Sequence, residues 1–372
     1  MRYIYPKGVS GEQLGVMMEE LDNYKPIFID DSKEETSFEA LKEDIIANNA
    51  MVYVALSKLN PSYEENLSSI VAKLQRHQIP YILDGLEEYV RRSILKVQKE
   101  IVDKQWRGVF YLVMPDFAKD KHFGFLDDAI IQQGGKVVYI CTQRDSYARV
   151  LAKRDKENSK VLYFSYEFLF LIDFPCVMCV TGNYNFHKNT QVIFIGHSIN
   201  DYNQTDLSSL KDYKVCVAGK QFMPKNNAYN IEFLKCGYLG YDLVYQELKS
   251  KERKLERKSV LIAPYDLEEL AAMKLYIKSI LEKYPVILRY RYEWGKDHIP
   301  FIESFLEDEN FSIDNSNPMD SSSYIKAFCL VCGMTTSKYS FPLISLSPCM
   351  VLLNIANRTN YKINENLGVN IT

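Results

Sequence analysis

Short apolar runs rich in β-branched and aromatic residues recur along this chain, alternating with polar helical stretches in residues 1–86 and ending at Pro, Gly or a polar cluster beyond. No other feature constrains the fold as strongly. IFID (27–30), MVYVAL (51–56) and PYILDG (80–85) open the series. GVFYLVMP (108–115), KVVYICT (136–142), KVLYFS (160–165), QVIFIGHS (191–198) and YKVCVAG (213–219) continue it. SVLIAP (259–264), PVILRYRY (285–292), AFCLVCG (327–333) and CMVLLNIA (349–356) close it. Strands that alternate with helices pair in parallel, because a parallel neighbour needs a crossover long enough to hold a helix. The expected class is therefore α/β, with two consecutive Rossmann-like domains and an extra small α/β domain before them. The boundaries read as 1–86 for a Rossmann-like accessory domain and 87–107 for a charged connecting helix. Residues 108–247 and 248–372 form the two larger domains. Ligands of such sheets sit beyond the carboxyl ends of the strands, so the loops that follow apolar runs are where function is sought.

Composition excludes several classes. Of the 372 residues 47% are hydrophobic and 25% charged, which does not fit a disordered or low-complexity chain. Lys and Arg total 45 against 48 Asp and Glu, so there is no cationic excess to hold a nucleic acid. The N-terminus lacks the basic-then-apolar pattern of a secretory signal, and no apolar run reaches the length of a membrane span. The longest, Phe168 to Val180, is interrupted by Asp173 and Pro175 and suits a buried element or pair of elements. The expected location is cytoplasmic. Lys249 to Lys258 is basic enough to attract anionic lipid at the inner face of the membrane, although Glu252 and Glu256 dilute it toward a solvated helix face. The eight cysteines lie mostly in apolar runs and read as reduced core residues.

Several motifs carry two readings each. Gly8, Gly11 and Gly15, with Asp30 and Asp31 downstream, approximate a dinucleotide fingerprint, against a plain strand-to-helix turn. Cys176 with Cys179 and Cys329 with Cys332 suggest zinc, but residues three apart in a strand face opposite sides, so no metal is expected. Among His77, His122, His187, His197 and His298, only His197 directly follows a strand, where an imidazole is suited to general-base work on a hydroxyl. Arg289 and Arg291 alternate onto one side after a strand, as a phosphate fork beside Tyr290, Tyr292 and Trp294, or as an exposed edge strand with Arg stacked on Tyr. Gly333, Thr335, Thr336, Ser337 and Ser340 follow another strand where a helix should start, as an anion cradle or as helix caps. Ser321, Ser322 and Ser323 offer the same pair of readings.

In order and spacing these segments, from Gly108 to Ala356, resemble the CDP-glycerol glycerophosphotransferase family, which builds teichoic-acid and related capsule polymers on a GT-B fold. The resemblance rests on TGNYNF followed by a strand and the turn at Gly196 and His197. It also includes CGYLGYD (236–242), SVLIAPYD, PVILRYRY and LVCGMTTSKYSFP. The N-terminal stretch is weakly similar to the Rossmann-like domain of nucleotide-sugar acyltransferases. The family resemblance implies a GT-B-like pair of domains and a catalytic His197. It implies donor-phosphate contacts from Arg289, Arg291, Gly333, Thr335, Thr336 and Ser337, and an acceptor side at Asn200, Asp201 and Asp242. It implies a transferase with no cofactor, a nucleotide-activated donor (CDP-linked preferred) and a glycan or lipid-linked glycan acceptor. Three positions depart from the family pattern: Arg291 stands where it has a second His, Gly333 where it has Asp, and Gly240 where it has Arg. Glycosyl transfer from a nucleotide sugar and an inactive nucleotide-binding scaffold therefore remain as alternatives. Binding of a nicotinamide cofactor by residues 1–86 is a third.

Overall fold

The computed structural model describes residues 1–352 apart from 116–120, 183, 197–206, 220–222, 225–228, 230, 243–244, 247–248, 250–256, 291–293, 315–321, 334 and 336. Every strand pair whose register is described is parallel, which gives the α/β class expected from the alternation. The chain divides into two compact units. One comprises Met1–Asp120, Leu126–Phe194 and Asp212–Lys214; the other Lys121–Phe125, Ile195–Lys211 and Val215–Thr372.

The first unit opens with β1 (Arg2–Tyr5), α1 (Val9–Asp22), β2 (Ile27–Phe28), α2 (Phe38–Ala47), β3 (Met51–Val54), α3 (Tyr63–Arg76) and β4 (Tyr81–Ile82), in sheet order β2-β1-β3-β4. Tyr3, Ile29, Phe38, Val52 and Leu74 fill its core. Of the glycines of the GVSGEQLG stretch, Gly11 and Gly15 serve close packing, while a Cβ on Gly8 would meet nothing within 4 Å. A Cβ on Gly11 would lie 2.4 Å from the Pro6 carbonyl oxygen and one on Gly15 2.5 Å from the Phe28 ring, so α1 approaches β1 and β2 only because both positions lack side chains. Asp31 is held by Lys73 (2.8 Å) and by the Tyr5 hydroxyl.

Helix α4 (Gly85–Asp103) covers most of the stretch expected to be a connecting helix. Leu86, Tyr89, Val90, Ile94 and Val97 form one buried stripe along it, the spacing that buries one face of a helix. At the end of α1, Asp22 joins Arg2, Tyr89 and Arg92, which hold its carboxyl well below the usual range. A second sheet follows with β5 (Val109–Met114), α5 (Leu126–Gln132), β6 (Lys136–Cys141), α6 (Arg144–Lys153), β7 (Ser159–Tyr163), β8 (Cys176–Cys179) and β9 (Gln191–Phe194), ordered β9-β8-β5-β6-β7. The long apolar stretch resolves into a 3-10 helix (Tyr166–Leu171) and β8, the pair of elements its interruption suggested. The N-terminal elements join this sheet through α1 and α4. Gln13 donates to the Thr142 carbonyl (3.3 Å), Arg144 pairs with Glu12 (2.9 Å), Tyr147 donates to Glu20 (3.0 Å), and Lys160 pairs with Glu100.

β10 (Tyr213–Val217), which belongs to the second unit from Val215 on, has β11 (Glu232–Lys235) as a neighbour. The five-stranded sheet is built from β12 (Ser259–Ala263), α7 (Leu267–Leu281), β13 (Val286–Arg289), α8 (Ile299–Ile302), β14 (Phe311–Asp314), α9 (Ser322–Lys326), β15 (Ala327–Cys332), α10 (Ser337–Ser345) and β16 (Cys349–Val351), in order β14-β13-β12-β15-β16. Successive residues of β12 face opposite ways. Val260 and Ile262 pack with Leu270, Met273 and Ile277 of α7, while Leu261 and Ala263 pack with Phe341 of α10. Each of the three fully buried α7 side chains contributes about 1.5–3 kcal/mol. Arg257, from the basic stretch, donates to the Ser345 carbonyl (2.5 Å) and to Ser347 (2.6 Å), a cation at the carbonyl end of α10; residues 250–256 lie outside the described residues. Among the described residues no helix is long and apolar enough to cross a membrane.

Candidate functional site

From β12 the chain winds through β13 to β14, then returns to place β15 on the other flank of β12. Helices α7 and α10 therefore cover opposite faces, and the loops after β12 and β15 diverge where the winding direction reverses. A crevice at such a switch point is where α/β sheets hold ligands. Asp266 caps α7 by accepting the Glu269 N–H at 2.8 Å. That first turn carries Glu269 inward to 4% exposure, where its carboxylate accepts the Tyr265 N–H at 2.7 Å. The carboxylate lies against Gly333: a Cβ there would meet its three atoms at 2.2–2.3 Å.

Thr335 and Ser337 stand at the start of α10, as expected from the sequence. The Ser337 N–H reaches Thr335 Oγ1 at 3.4 Å, the two hydroxyls are 3.3 Å apart, and Ser340 donates to the Ser337 carbonyl at 3.4 Å. These contacts gather the three hydroxyls around the first turn of α10. Lys338 comes next, half-buried, with burial pushing its ammonium below the usual lysine range while Cys332, Cys349 and Glu269 oppose that shift. Sequence reasoning missed both Glu269 and Lys338. A cation among the hydroxyls of TTSKYS was a visible signal; Glu269 had none, since it reads as one more carboxylate of an amphipathic helix.

Arg289 ends β13 with its guanidinium engaged. It pairs with Asp314 at 3.1 Å, donates to Ser323 Oγ at 2.9 Å and lies 5.4 Å from the centre of the Tyr324 ring. β13 is an interior strand, which removes the exposed-edge reading; the ring that Arg289 covers comes from α9, not from its own segment. Tyr290 stacks on His298 (3.8 Å between ring centres) and on Trp294 (6.3 Å). Asp314 was not foreseen, because FSID is a short run with polar residues at alternate positions.

Asp242 is exposed after the turn Leu239–Tyr241. Nearby, the Tyr238 hydroxyl meets His122 Nδ1 at 2.5 Å, a histidine not singled out from the sequence. His197, Asn200, Asp201, Arg291 and Thr336 lie outside the described residues; Gly196, just before His197, has φ 82°. All eight cysteines are free thiols, with Cys236 exposed. Cys332 has Cys349 of the neighbouring strand as its sulfur contact, at 3.6 Å. Among the described residues no group of three or more His, Cys, Asp or Glu is arranged to hold a metal ion.

No family model matches the chain, and no curated protein matches it. Solved structures do resemble it. The wall teichoic acid polymerase TagF aligns over 82% of this chain and 81% of its own at 11% identity and a TM-score of 0.45. The UDP-GlcNAc 2-epimerase from Neisseria meningitidis aligns over 66% and 82% at 12% identity and 0.45. Acinetobacter baumannii MurG aligns over 69% and 82% at 10% and 0.39. The α/β class itself stands on the parallel register and strand order given above.

Proposed function

We propose that this chain is a GT-B-like transferase that moves a nucleotide-activated group, CDP-polyol phosphate before nucleotide sugar, onto a hydroxyl of a bacterial surface polysaccharide or its lipid-linked precursor. The observation that carries this reading is the switch point between β12 and β15, where the N-terminus of α10 brings Thr335, Ser337 and the half-buried Lys338. Amides and an ammonium fixed in place stabilise negative charge as it develops on a departing nucleotide phosphate, without reorganising during the reaction. His197 takes the acceptor proton, and Asn200, Asp201 and Asp242 orient the acceptor. Arg291 and Thr336 add to the phosphate side, and cationic side chains carry the leaving-group charge in place of a metal.

One observation favours a second reading, a nucleotide-binding relative without turnover. Arg289 is already paired with Asp314, and a buried carboxylate occupies the space beside Gly333. Calorimetry with CDP, CMP and UDP, followed by donor-hydrolysis and transfer assays, separates the two. The transferase reading expects CDP to bind, Lys338→Met to weaken it at least tenfold, and His197→Ala to abolish transfer with binding retained. Binding without turnover on any acceptor supports the scaffold instead, and the absence of nucleotide binding removes both.

A further inference from the structure

Two of the eight cysteines meet where a strand ends. Cys216 lies within β10, and Cys236 directly follows β11, the neighbouring strand. The Cys236 N–H donates to the Val217 carbonyl at 3.2 Å, which sets Cys236 beside this part of β10. Side chains alternate along a strand, so Val215 and Val217 turn to one face, 0% and 1% exposed, and Cys216 turns to the other, where it is half-buried. There its thiol donates to the Cys236 sulfur, and the Cys236 thiol in turn reaches the Gly237 carbonyl at 3.8 Å.

The two thiols are unequal. Cys236 is the one exposed cysteine of the eight, so a reagent in solution reaches it first. Burial, with the neighbouring sulfur adding to it, pushes the Cys216 thiol up to about 12, so Cys216 holds its proton until its neighbour has reacted. Gly237 follows Cys236 with φ 82°, in the left-handed region open to glycine, and the backbone there turns without meeting a side chain of its own. Cys332 and Cys349 make the contrast: their sulfurs are 3.6 Å apart, but both residues lie within paired strands and Cys332 is 0% exposed. Sulfur contact is common to both pairs. Only the first gives an oxidant access and leaves one partner at a strand end, where it can move to close the bond.

We infer that Cys216 and Cys236 form an oxidation site, in which Cys236 takes an oxygen from hydrogen peroxide and Cys216 resolves the product to a disulfide. The Cys236 thiolate attacks the peroxide: an S–O bond forms, the O–O bond breaks, and the leaving hydroxide takes up the thiol proton as water. Cys216 then attacks the sulfenic sulfur: an S–S bond forms, the S–O bond breaks, and the hydroxyl leaves with the Cys216 proton as a second water. Two thiols and one peroxide thus give one disulfide and two waters. The bond ties β10 to the segment that carries Tyr238, whose hydroxyl meets His122 Nδ1 at 2.5 Å and whose ring packs with Tyr339 of α10. The site does not rest on the transferase reading.

The test uses the full chain, reduced, freed of reductant and treated with one equivalent of hydrogen peroxide under native conditions. Thiol titration in denaturant should show two of the eight thiols lost and both regained with dithiothreitol, and peptide mapping should link Cys216 to Cys236. In Cys216→Ala, Cys236 should stop at the sulfenic acid, which dimedone traps; in Cys236→Ala, Cys216 should keep its thiol. Thermal melts confirm that both variants are folded. Cys332 and Cys349 should stay reduced throughout. The assignment is overturned if the folded wild type yields no linked peptide, or if the link joins Cys236 of two molecules. It is equally overturned if Cys216→Ala loses the same two thiols, or if Cys332 and Cys349 form the disulfide instead.

Discussion

Replacing Arg289 by Met decides whether that guanidinium serves the fold or the ligand. Its partner Asp314 has a side chain only 6% exposed, and Arg289 itself is 20% exposed. Removing one member of a buried pair leaves an uncompensated charge and costs about 3–5 kcal/mol, and partial exposure of the guanidinium argues for about 3. The loss of the Ser323 bond and of the Tyr324 face acts in the same direction. For a unit of this size a urea m-value of about 2 kcal/mol/M converts that cost into a midpoint lowered by about 1.5 M. The assay is urea unfolding followed by fluorescence in a Trp106→Phe background. There the remaining tryptophan, Trp294, packs on the core of the five-stranded sheet and reports this unit. Arg289→Met/Asp314→Asn should recover at least half of the loss, because the orphaned charge is gone. A midpoint moved by less than about 0.5 M, or a double variant no better than the single one, would refute the reasoning. It would return Arg289 to the phosphate site, where a held cation destabilises the empty protein.

Three other expectations follow from the same kind of geometry. Gly333→Ala drives a methyl into the Glu269 carboxylate and should destabilise the second unit by about 1–3 kcal/mol; Glu269→Ala in the same chain should relieve it, and an unrelieved double variant would show that backbone strain at 333 is the cause. Asp22 is held ionised chiefly by Arg92, so its folded pKa is depressed. The stability it supplies is fully present above the ordinary carboxyl value of 3.8 and is lost as pH falls below that toward the folded value. In acid titrations followed by circular dichroism, Asp22→Asn should therefore show a shallower loss below pH 3.8 than the wild type; equal slopes would exclude Asp22 as a source of the pH dependence. Gly15→Ala should cost about 1–3 kcal/mol of first-unit stability by thermal melt, since its methyl meets the Phe28 ring at 2.5 Å, and a neutral substitution would show that the ring can turn aside.

The strand runs were legible because a strand buried on both faces must be continuously apolar, and its loops must be polar to satisfy the exposed backbone. VFYLVM, KVVYIC, SVLIA and AFCLVC became β5, β6, β12 and β15 for that reason. β14 and β11 were missed because four-residue strands with polar positions carry too little apolar signal. The candidate site was legible only in part. The hydroxyl motif at 335–337 declared its helix start through local chemistry, whereas the partners of Arg289 did not.

Sequence by itself determined the local patterns: which apolar runs are strands, and that strand-end loops would carry the polar chemistry. Those depend on the alternation of side chains over a few residues. Only the tertiary structure decided that Asp314 claims Arg289 and that Glu269 fills the space Gly333 leaves. Each pair is separated by 25 positions or more and meets through strand order and helix packing, and no local spacing encodes such a meeting.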